Sequence, residues 1–329
     1  MSAKGLQIGD AHVPGRVLIA PMTGVSDLPF RRMAAKLGAA YAATEMVACQ
    51  ELNGTRPDIV RKAQLGDHDG LKIVQLVGRD PQHIANGARL AEESGADIVD
   101  LNFGCPAKEV TGVLCGSALM RDLDQAEQIM TAALNATSRP VTIKMRLGWD
   151  DNHTCVALAQ RAEKLGVKAV TVHGRTRQQF YKGSANWEAV ADVKAAVSIP
   201  VIVNGDVIDL ETARRALQES CADGVMIGRG IYGRPWFAAG LDRALEDGGS
   251  LSAPDTRETA AILLEHMSLS LAFYGDNLGL RMFKKHLGAY IEAAPHHPDP
   301  QVRRQDKGRI CRLETASEVE AAVRDLLYA

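Results

Sequence analysis

The sequence predicts an α/β protein in which a (β/α)8 TIM barrel precedes a small all-helical C-terminal domain. Three observations predict this fold. Eight short apolar runs recur between residues 17 and 230. Stretches rich in Ala, Leu and Glu, which are typical of helices, separate these runs. After residue 240 the alternation stops, and only helical stretches remain.

The apolar runs are typical of parallel strands buried on both faces, because they lack the polar alternation of a half-exposed strand. They cover residues 17–21, 41–47, 72–78, 97–104, 141–148, 169–175, 200–206 and 224–230. A doubly wound open sheet is the alternative, but it needs fewer strands and a Gly-rich loop after the first one. Here the first strand ends in Ala20-Pro21-Met22, and no GxGxxG follows it.

Helix boundaries support the same fold. The stretch 81–93 begins with Pro and ends before Gly95, and residues 155–165 and 210–218 repeat this form. The segment 246–255 is rich in Gly, Ser and Asp and is typical of a linker. We therefore expect a barrel domain at 1–245 and a helical domain at 246–329. The expected helices of the second domain are 256–273, 279–294 and 317–327.

Composition excludes several classes of protein. The 329 residues carry 38 Lys and Arg against 40 Asp and Glu, and 46% are hydrophobic, which argues against disorder. No apolar run approaches the ~20 residues that cross a bilayer, and residues 1–15 lack the apolar core of a secretory signal. The six cysteines are scattered without a CxxC pair, so we expect a cytoplasmic protein without a metal site. We also expect a monomer with no membrane contact.

The active site of such a barrel lies at the C-terminal ends of its strands. Every predicted strand ends in a polar group or a tight turn, which predicts a polar catalytic mouth. In strand order these are Pro21, Met22 and Thr23; Glu45; Gln75; Asn102 and Cys105; Lys144 and Arg146; His173 and Arg175; Asn204 and Asp206; and Gly228 and Arg229.

The last two strand ends, residues 204–206 and 228–230, contain glycines that let backbone N–H groups approach an anion. The loops after strands 7 and 8 are the recurrent phosphate site of this fold, and Arg229 adds a charged donor. Two alternatives stay open: the glycines only make tight turns, or the phosphate belongs to a substrate.

Two strand-end side chains have several chemical interpretations. Lys144 stands among apolar neighbours, where lysine is rare without a function. It could stabilise negative charge on a reduced flavin ring or form a Schiff base. His173 could bind an anion, donate a proton or serve only the structure.

Cys105 follows the fourth strand, and Pro106 biases it towards an extended loop. A thiol with a pKa near ~8.5 is mostly protonated at neutral pH and can act as a general acid. Activation by His173 would instead make it a nucleophile, and most buried cysteines are inert. Spacing does not separate these alternatives.

The strand-end motifs together resemble those of the tRNA-dihydrouridine synthases, most closely the bacterial B-type branch. The similarity runs from about residue 6 to the C-terminus, and Asn-x-Gly-Cys-Pro and His-Gly-Arg-Thr are its specific motifs. The matching segments are 20–31 (APMTGVSDLPFR), 102–108 (NFGCPAK), 144–149 (KMRLGW), 173–177 (HGRTR), 204–206 (NGD), 228–229 (GR), 233–236 (GRPW) and 284–286 (KKH).

The resemblance implies an FMN-dependent reductase with a tRNA-binding helical domain. NADPH (or NADH) would reduce FMN, the flavin would pass a hydride to C6 of a uracil, and Cys105 would protonate C5. Cys115 departs from the family pattern, which more often has Ala or Gly there. The implied flavin contacts are Pro21, Met22, Thr23, Gln75, Lys144 and His173, with Asn204, Gly205, Asp206, Gly228 and Arg229 at the phosphate end.

Local charge agrees with an RNA partner where net charge does not. Between residues 281 and 312 there are 8 Lys and Arg against 3 Asp and Glu, a balance of +5, although a solvated face is the simpler explanation. A small-molecule flavin reductase and a non-catalytic RNA-binding protein are the competing functions. The candidate RNA contacts are Arg175, Arg177, Arg281, Lys284, Lys285, Arg303 and Arg304.

Overall fold

Eight parallel strands form a closed barrel, as the sequence predicts. The computed structural model describes residues 5–52, 56–112 and 114–328. The strands follow one another around the barrel, and the last pairs with the first. They are β3 (Val17–Ile19), β4 (Tyr41–Ala48), β5 (Leu71–Val77), β6 (Ile98–Phe103), β7 (Val141–Arg146), β8 (Ala169–His173), β9 (Val201–Asn204) and β10 (Gly224–Ile227).

An antiparallel hairpin, which the sequence analysis did not predict, precedes the barrel. It pairs β1 (Leu6–Ile8) with β2 (Ala11–Val13). Leu6, Ile8 and Val13 are buried against apolar side chains of the barrel strands. Three-residue strands are too short to produce a readable alternation, so periodicity could not find them.

Nine helices of the described chain surround the barrel strands. Helix α3 (Pro81–Glu93) begins with the proline that the sequence analysis expected: Pro81 occupies the first turn, and the Asp80 side chain accepts the N–H groups of Gln82 and His83. The predicted helix 81–93 is thereby confirmed. The set is α1 (Leu28–Lys36), α2 (Pro57–Ala63), α3 (Pro81–Glu93), α4 (Lys108–Thr111), α5 (Leu123–Ala136), α6 (Thr154–Leu165), α7 (Glu188–Ala196), α8 (Leu210–Ser220) and α9 (Phe237–Asp247).

Four more helices follow and pack around a separate apolar cluster. They are α10 (Thr256–Tyr274), α11 (Asp276–Ala293), α12 (Pro300–Ile310) and α13 (Ala316–Leu327). Three of these were predicted, whereas α12 was missed. It buries only Ile310, so its sequence lacks the apolar stripe on which such predictions depend.

The C-terminal helices contact the barrel mainly through α1. The Tyr274 hydroxyl donates to Asp27, which caps α1, at 3.0 Å, and Phe30 stacks on His286 with ring centres 5.5 Å apart.

Burial raises the pKa of Asp27 to about 6. Donor atoms of Asp27, His266 and His286 lie within 4.8 Å of one another and could hold an ion. The expected absence of a metal therefore stays a prediction.

A second contact forms where the chain leaves β10. Gly233 has φ of +68°, and a Cβ at this position would lie 2.3 Å from the carbonyl carbon of Ala289 on α11. Only glycine allows α11 to approach this closely.

Candidate active site

Cys105 lies in a loop that is fixed from three sides. The Asn102 side-chain oxygen accepts the N–H groups of Gly104 and Cys105 at 3.1 and 2.9 Å. The Ser117 hydroxyl donates to the Cys105 carbonyl at 2.9 Å, and Arg146 Nε donates to the Gly104 carbonyl at 2.8 Å. Cys105 follows β6 and is partly exposed, so this residue lies at the C-terminal mouth of the barrel.

A buried polar chain supports this loop from inside the barrel. Asn102 Nδ2 donates to Gln75 Oε1 at 2.7 Å, and Gln75 Nε2 donates to Asp100 at 2.6 Å. Thr142 donates to the other oxygen of Asp100 at 2.7 Å. Burial raises the pKa of Asp100. Gln75, a predicted flavin contact, thus also orients Asn102.

Lys144 and His173 converge on one amide oxygen. Asn204 Oδ1 accepts from Lys144 Nζ at 2.9 Å and from His173 Nδ1 at 3.0 Å, while Asn204 Nδ2 donates to the Met226 carbonyl at 2.8 Å. Burial and the neighbouring Arg146 lower the pKa of Lys144 to about 8. Burial, Lys144 and Arg146 hold the pKa of His173 well below its usual range, so this imidazole is neutral.

Arg175 is buried at the barrel mouth and pairs with Asp206. Arg175 is 2% exposed, so the structure does not place it on an RNA-facing surface. Its guanidinium pairs with Asp206, which also accepts the Ala185 N–H at 2.8 Å and lies 3.5 Å from Arg229. The carboxylate of Asp206 therefore orients the two arginines, and the predicted contact of Asp206 with a cofactor phosphate stays a prediction.

The two glycines at the predicted phosphate end differ in their surroundings. A Cβ at Gly228 would meet no atom within 4 Å, whereas a Cβ at Gly205, which adopts φ of +118° after β9, would lie 2.9 Å from the side chain of Ala185. The side chain of Arg229 is 58% exposed. The open backbone at Gly228, Arg229 and the ammonium of Lys144 form a donor set that fits an anionic cofactor with a polar ring, such as FMN.

The first strand end meets the C-terminal helices. Pro21 and Met22 are partly buried, and Thr23 is exposed. The Gly24 N–H donates to the buried Glu45 at 2.6 Å. A Cβ at Gly24 would lie 2.7 Å from the ammonium of Lys285 on α11, so this cation reaches the barrel mouth.

The other candidate RNA contacts differ in their surroundings. Arg281, Lys284 and Lys285 recur at helical spacing on α11, and within the described ranges no ion pair involves them. Arg304 is exposed, but Arg303 on α12 donates to the carbonyls of Glu292, on α11, and His297, between the two helices. Arg177, partly buried, lies over the ring of Trp149 at 4.8 Å.

Sequence reasoning missed several positioning residues. Arg146 and Glu45 were recognised as strand ends but given no role, because their partners come from other loops. Asp100 and Ser117 gave no signal, since neither lies at a strand end.

Among the helices that the structure describes, none is long and apolar enough to cross a membrane.

The fold is that of a (β/α)8-barrel protein, and polar side chains from several strands meet at its C-terminal mouth. Two solved structures share the barrel at low identity: histamine dehydrogenase from Rhizobium sp. 4-9 and the old yellow enzyme homologue from Zymomonas mobilis. Their TM-scores are 0.57 and 0.53 at 12% and 16% identity. The matches cover 80% and 77% of this chain, and 50% and 94% of the other chains.

The chain belongs to the dihydrouridine synthase family, whose model matches residues 18–325. It is 49% identical over 280 residues to a probable tRNA-dihydrouridine synthase of Rhodobacter capsulatus, covering 84% of this chain and 86% of that protein. It is 43% identical over 289 residues to tRNA-dihydrouridine synthase B of Vibrio cholerae, covering 87% and 89%. The resemblance to the bacterial B-type branch is thereby confirmed.

Proposed function

We propose that this protein reduces the C5=C6 bond of specific tRNA uridines to 5,6-dihydrouridine, using FMN and NADPH or NADH. The observation that carries the proposal is the Cys105 loop, fixed at the barrel mouth beside the side chains of Lys144 and Arg146. Asn102 of this loop lies opposite Lys144 in the β6–β7 pairing, so Cys105 and these cations share one rim.

The assignment of the cofactor-binding residues follows the donor set at the mouth. Pro21, Met22 and Thr23 would line the flavin, with Gln75, Lys144 and His173 at its ring system. The backbone of Gly205 and Gly228, Asn204 and Arg229 would hold the phosphate end, and Asp206 would keep Arg229 in position. When bound at these residues, FMN would supply the hydride for C6 of the uracil.

Cys105 supplies the proton for C5 in this proposal. A hydride and a proton together saturate the double bond, and the resulting thiolate regains a proton from solvent. The buried chain through Asn102, Gln75 and Asp100 keeps the loop still, which favours proton transfer because geometry limits general acid catalysis. The ammonium of Lys144 would stabilise negative charge on a reduced ring.

The helices α10–α13 bind tRNA in this proposal, and the barrel receives the uridine. A base inside folded RNA is inaccessible, so it must leave its stack to enter the mouth. The cations of α11 would contact phosphates, which supply most non-specific affinity.

The test uses the full-length protein reconstituted with FMN, tRNA transcribed without modifications, and either NADPH or NADH. We expect nucleoside mass spectrometry to detect dihydrouridine, and the protein to retain a flavin absorbance spectrum. Free uridine is the matched control substrate, and it should react far more slowly. A protein that does not bind FMN, or that reduces free uridine but not tRNA, would overturn the proposal.

A further inference from the structure

Exposed aromatic side chains gather at the barrel mouth, where no part of the proposed chemistry uses them. Phe180 and Tyr181, in the loop after β8, are 41% and 47% exposed, and Tyr232, after β10, is 37% exposed. The first two rings meet edge to face with centres 4.9 Å apart. The Tyr232 N–H donates to the carbonyl of Arg229 at 3.1 Å, and the guanidinium of the same Arg229 lies over the Tyr181 ring. Packing does not explain aromatic surface left in water.

Arg146 and Arg175 fix the loop after β8 that carries Phe180 and Tyr181. Arg146 Nη1 donates to the Phe180 carbonyl at 2.8 Å. Arg175, which is buried, donates to the carbonyls of Lys182 and Gly183 at 3.2 and 2.7 Å. Phe180 has φ of +56°, a strained conformation for an aromatic residue that persists only where its surroundings enforce it. The exposed rings are therefore presented in a fixed arrangement.

Cations surround the rings. The guanidinium carbons of Arg146 and Arg229 lie 5.4 and 5.3 Å from the centre of the Tyr181 ring. Lys182, next in the chain, is exposed. The carboxylate of Asp206 is already paired with two arginines. Aromatic faces interleaved with cations are the chemistry that binds unstacked nucleic acid bases, whereas an apolar protein surface would leave Arg146 and Lys182 without a counter-charge.

We propose that Phe180, Tyr181 and Tyr232 form an aromatic platform that stacks a nucleobase adjacent to the uridine extruded into the mouth. This inference rests on the proposed function, because it assigns a binding site to the same tRNA substrate. The ligand is an unstacked RNA base of any identity, since every base has a π-face. The platform would replace part of the stacking that RNA loses when the target uridine leaves its helix.

The test compares binding of an unmodified tRNA transcript to the wild-type holoenzyme and to Tyr181→Ala. Loss of one stacked base should weaken binding about 5- to 150-fold. The dependence of affinity on salt should not change, because the substitution leaves every cation in place. Tyr181→Phe, which keeps the ring, should bind like wild type, and Phe180→Ala should repeat the loss. Leu90→Ala, an exposed aliphatic change on α3, is the matched control.

Three results would overturn the platform: unchanged tRNA affinity in Tyr181→Ala, an affinity loss with a reduced salt dependence, or an equal loss of FMN affinity. The second would indicate displaced cations, and the third would indicate a cofactor contact. Failure of the proposed function is distinguishable, because wild-type protein would then form no dihydrouridine. If only the platform proposal is wrong, wild-type protein still forms dihydrouridine.

Discussion

At the scale of single residues, Cys105 is the most direct test of the proposed chemistry. Cys105→Ala removes the proposed proton donor, so dihydrouridine formation should fall about 100- to 10,000-fold, as expected for loss of a general acid. The rate is measured under single-turnover conditions with pre-reduced protein. Affinity for tRNA should change little, because the substitution removes no charge or ring.

The matched control is Cys221→Ala, since Cys221 is exposed on the barrel beyond α8. This variant should retain full activity. If Cys105→Ala formed dihydrouridine at the wild-type rate, the proton donor would have to be another group.

Asp27 predicts a pH dependence of stability. Its folded-state pKa of about 6 lies above the usual value of 3.8, so the folded protein binds this proton more tightly than the unfolded chain. The contribution of protonated Asp27 to the free energy of unfolding is complete below pH 4 and is lost as pH rises through 6. Asp27→Asn keeps the helix cap but cannot ionise. Relative to wild type, its free energy of unfolding should therefore improve between pH 4 and 7, by up to about 3 kcal/mol.

Urea unfolding at several pH values measures this difference. Asp255→Asn, at the exposed cap of α10, is the matched control and should show no comparable trend. A constant difference between Asp27→Asn and wild type across this range would contradict the prediction.

At the scale of elements, sequence reasoning succeeded where local pattern decides the structure. The barrel strands were recognisable because each is a continuous apolar run, and α3 because Pro81 and Gly95 bound it. The hairpin β1–β2 and helix α12 were missed because neither carries a full period of buried positions. Their formation depends on neighbouring elements, which no local window contains.

The site residues show the same difference between features that local pattern predicts and features that depend on neighbouring elements. The order of strand ends brought Cys105, Lys144 and Asn204 to one rim, which topology alone predicts. The burial of Arg175 could not be predicted, because it depends on how the loop after β8 folds back over its guanidinium. The exposure of Tyr181 is likewise a property of the folded loop.

Helix α11 predicts the salt dependence of RNA binding. Lys284→Glu with Lys285→Glu reverses two cations of the helix, so tRNA affinity should fall. Its slope against log salt should flatten by about 0.7 to 0.9 for each phosphate that the helix no longer neutralises. Fluorescence anisotropy over a range of salt concentrations measures both quantities.

Arg324→Glu is the matched control for α11, since Arg324 is an exposed cation of α13 already paired with Glu320. Its salt slope should equal that of wild type. An unchanged slope in the double variant would remove α11 from the RNA interface.

At the scale of the whole molecule, Gly233 determines how closely the C-terminal helices approach the barrel. Gly233→Ala combines an unfavourable φ of +68° with a Cβ overlapping the backbone of Ala289, so α11 must move. Gly248→Ala has the same φ but meets no atom within 4 Å. We expect Gly233→Ala to lower the thermal unfolding midpoint well beyond Gly248→Ala, and to weaken tRNA binding as well.

Equal midpoints for the two alanine variants would mean that the close approach of Gly233 to α11 does not contribute to stability. The comparison isolates this approach, because both substitutions carry the same backbone penalty.

The ammonium of Lys285 beside Gly24 has a consequence for substrate choice. Because α11 packs directly on the barrel, the fold sets the distance between the cations of α11 and Cys105. In the proposed function, a uridine would then be selected by its distance from the phosphates that α11 contacts, and its own identity would matter only after it reaches the barrel mouth. Changing which uridine is reduced would require moving the helix, and substitutions around Cys105 would not achieve it.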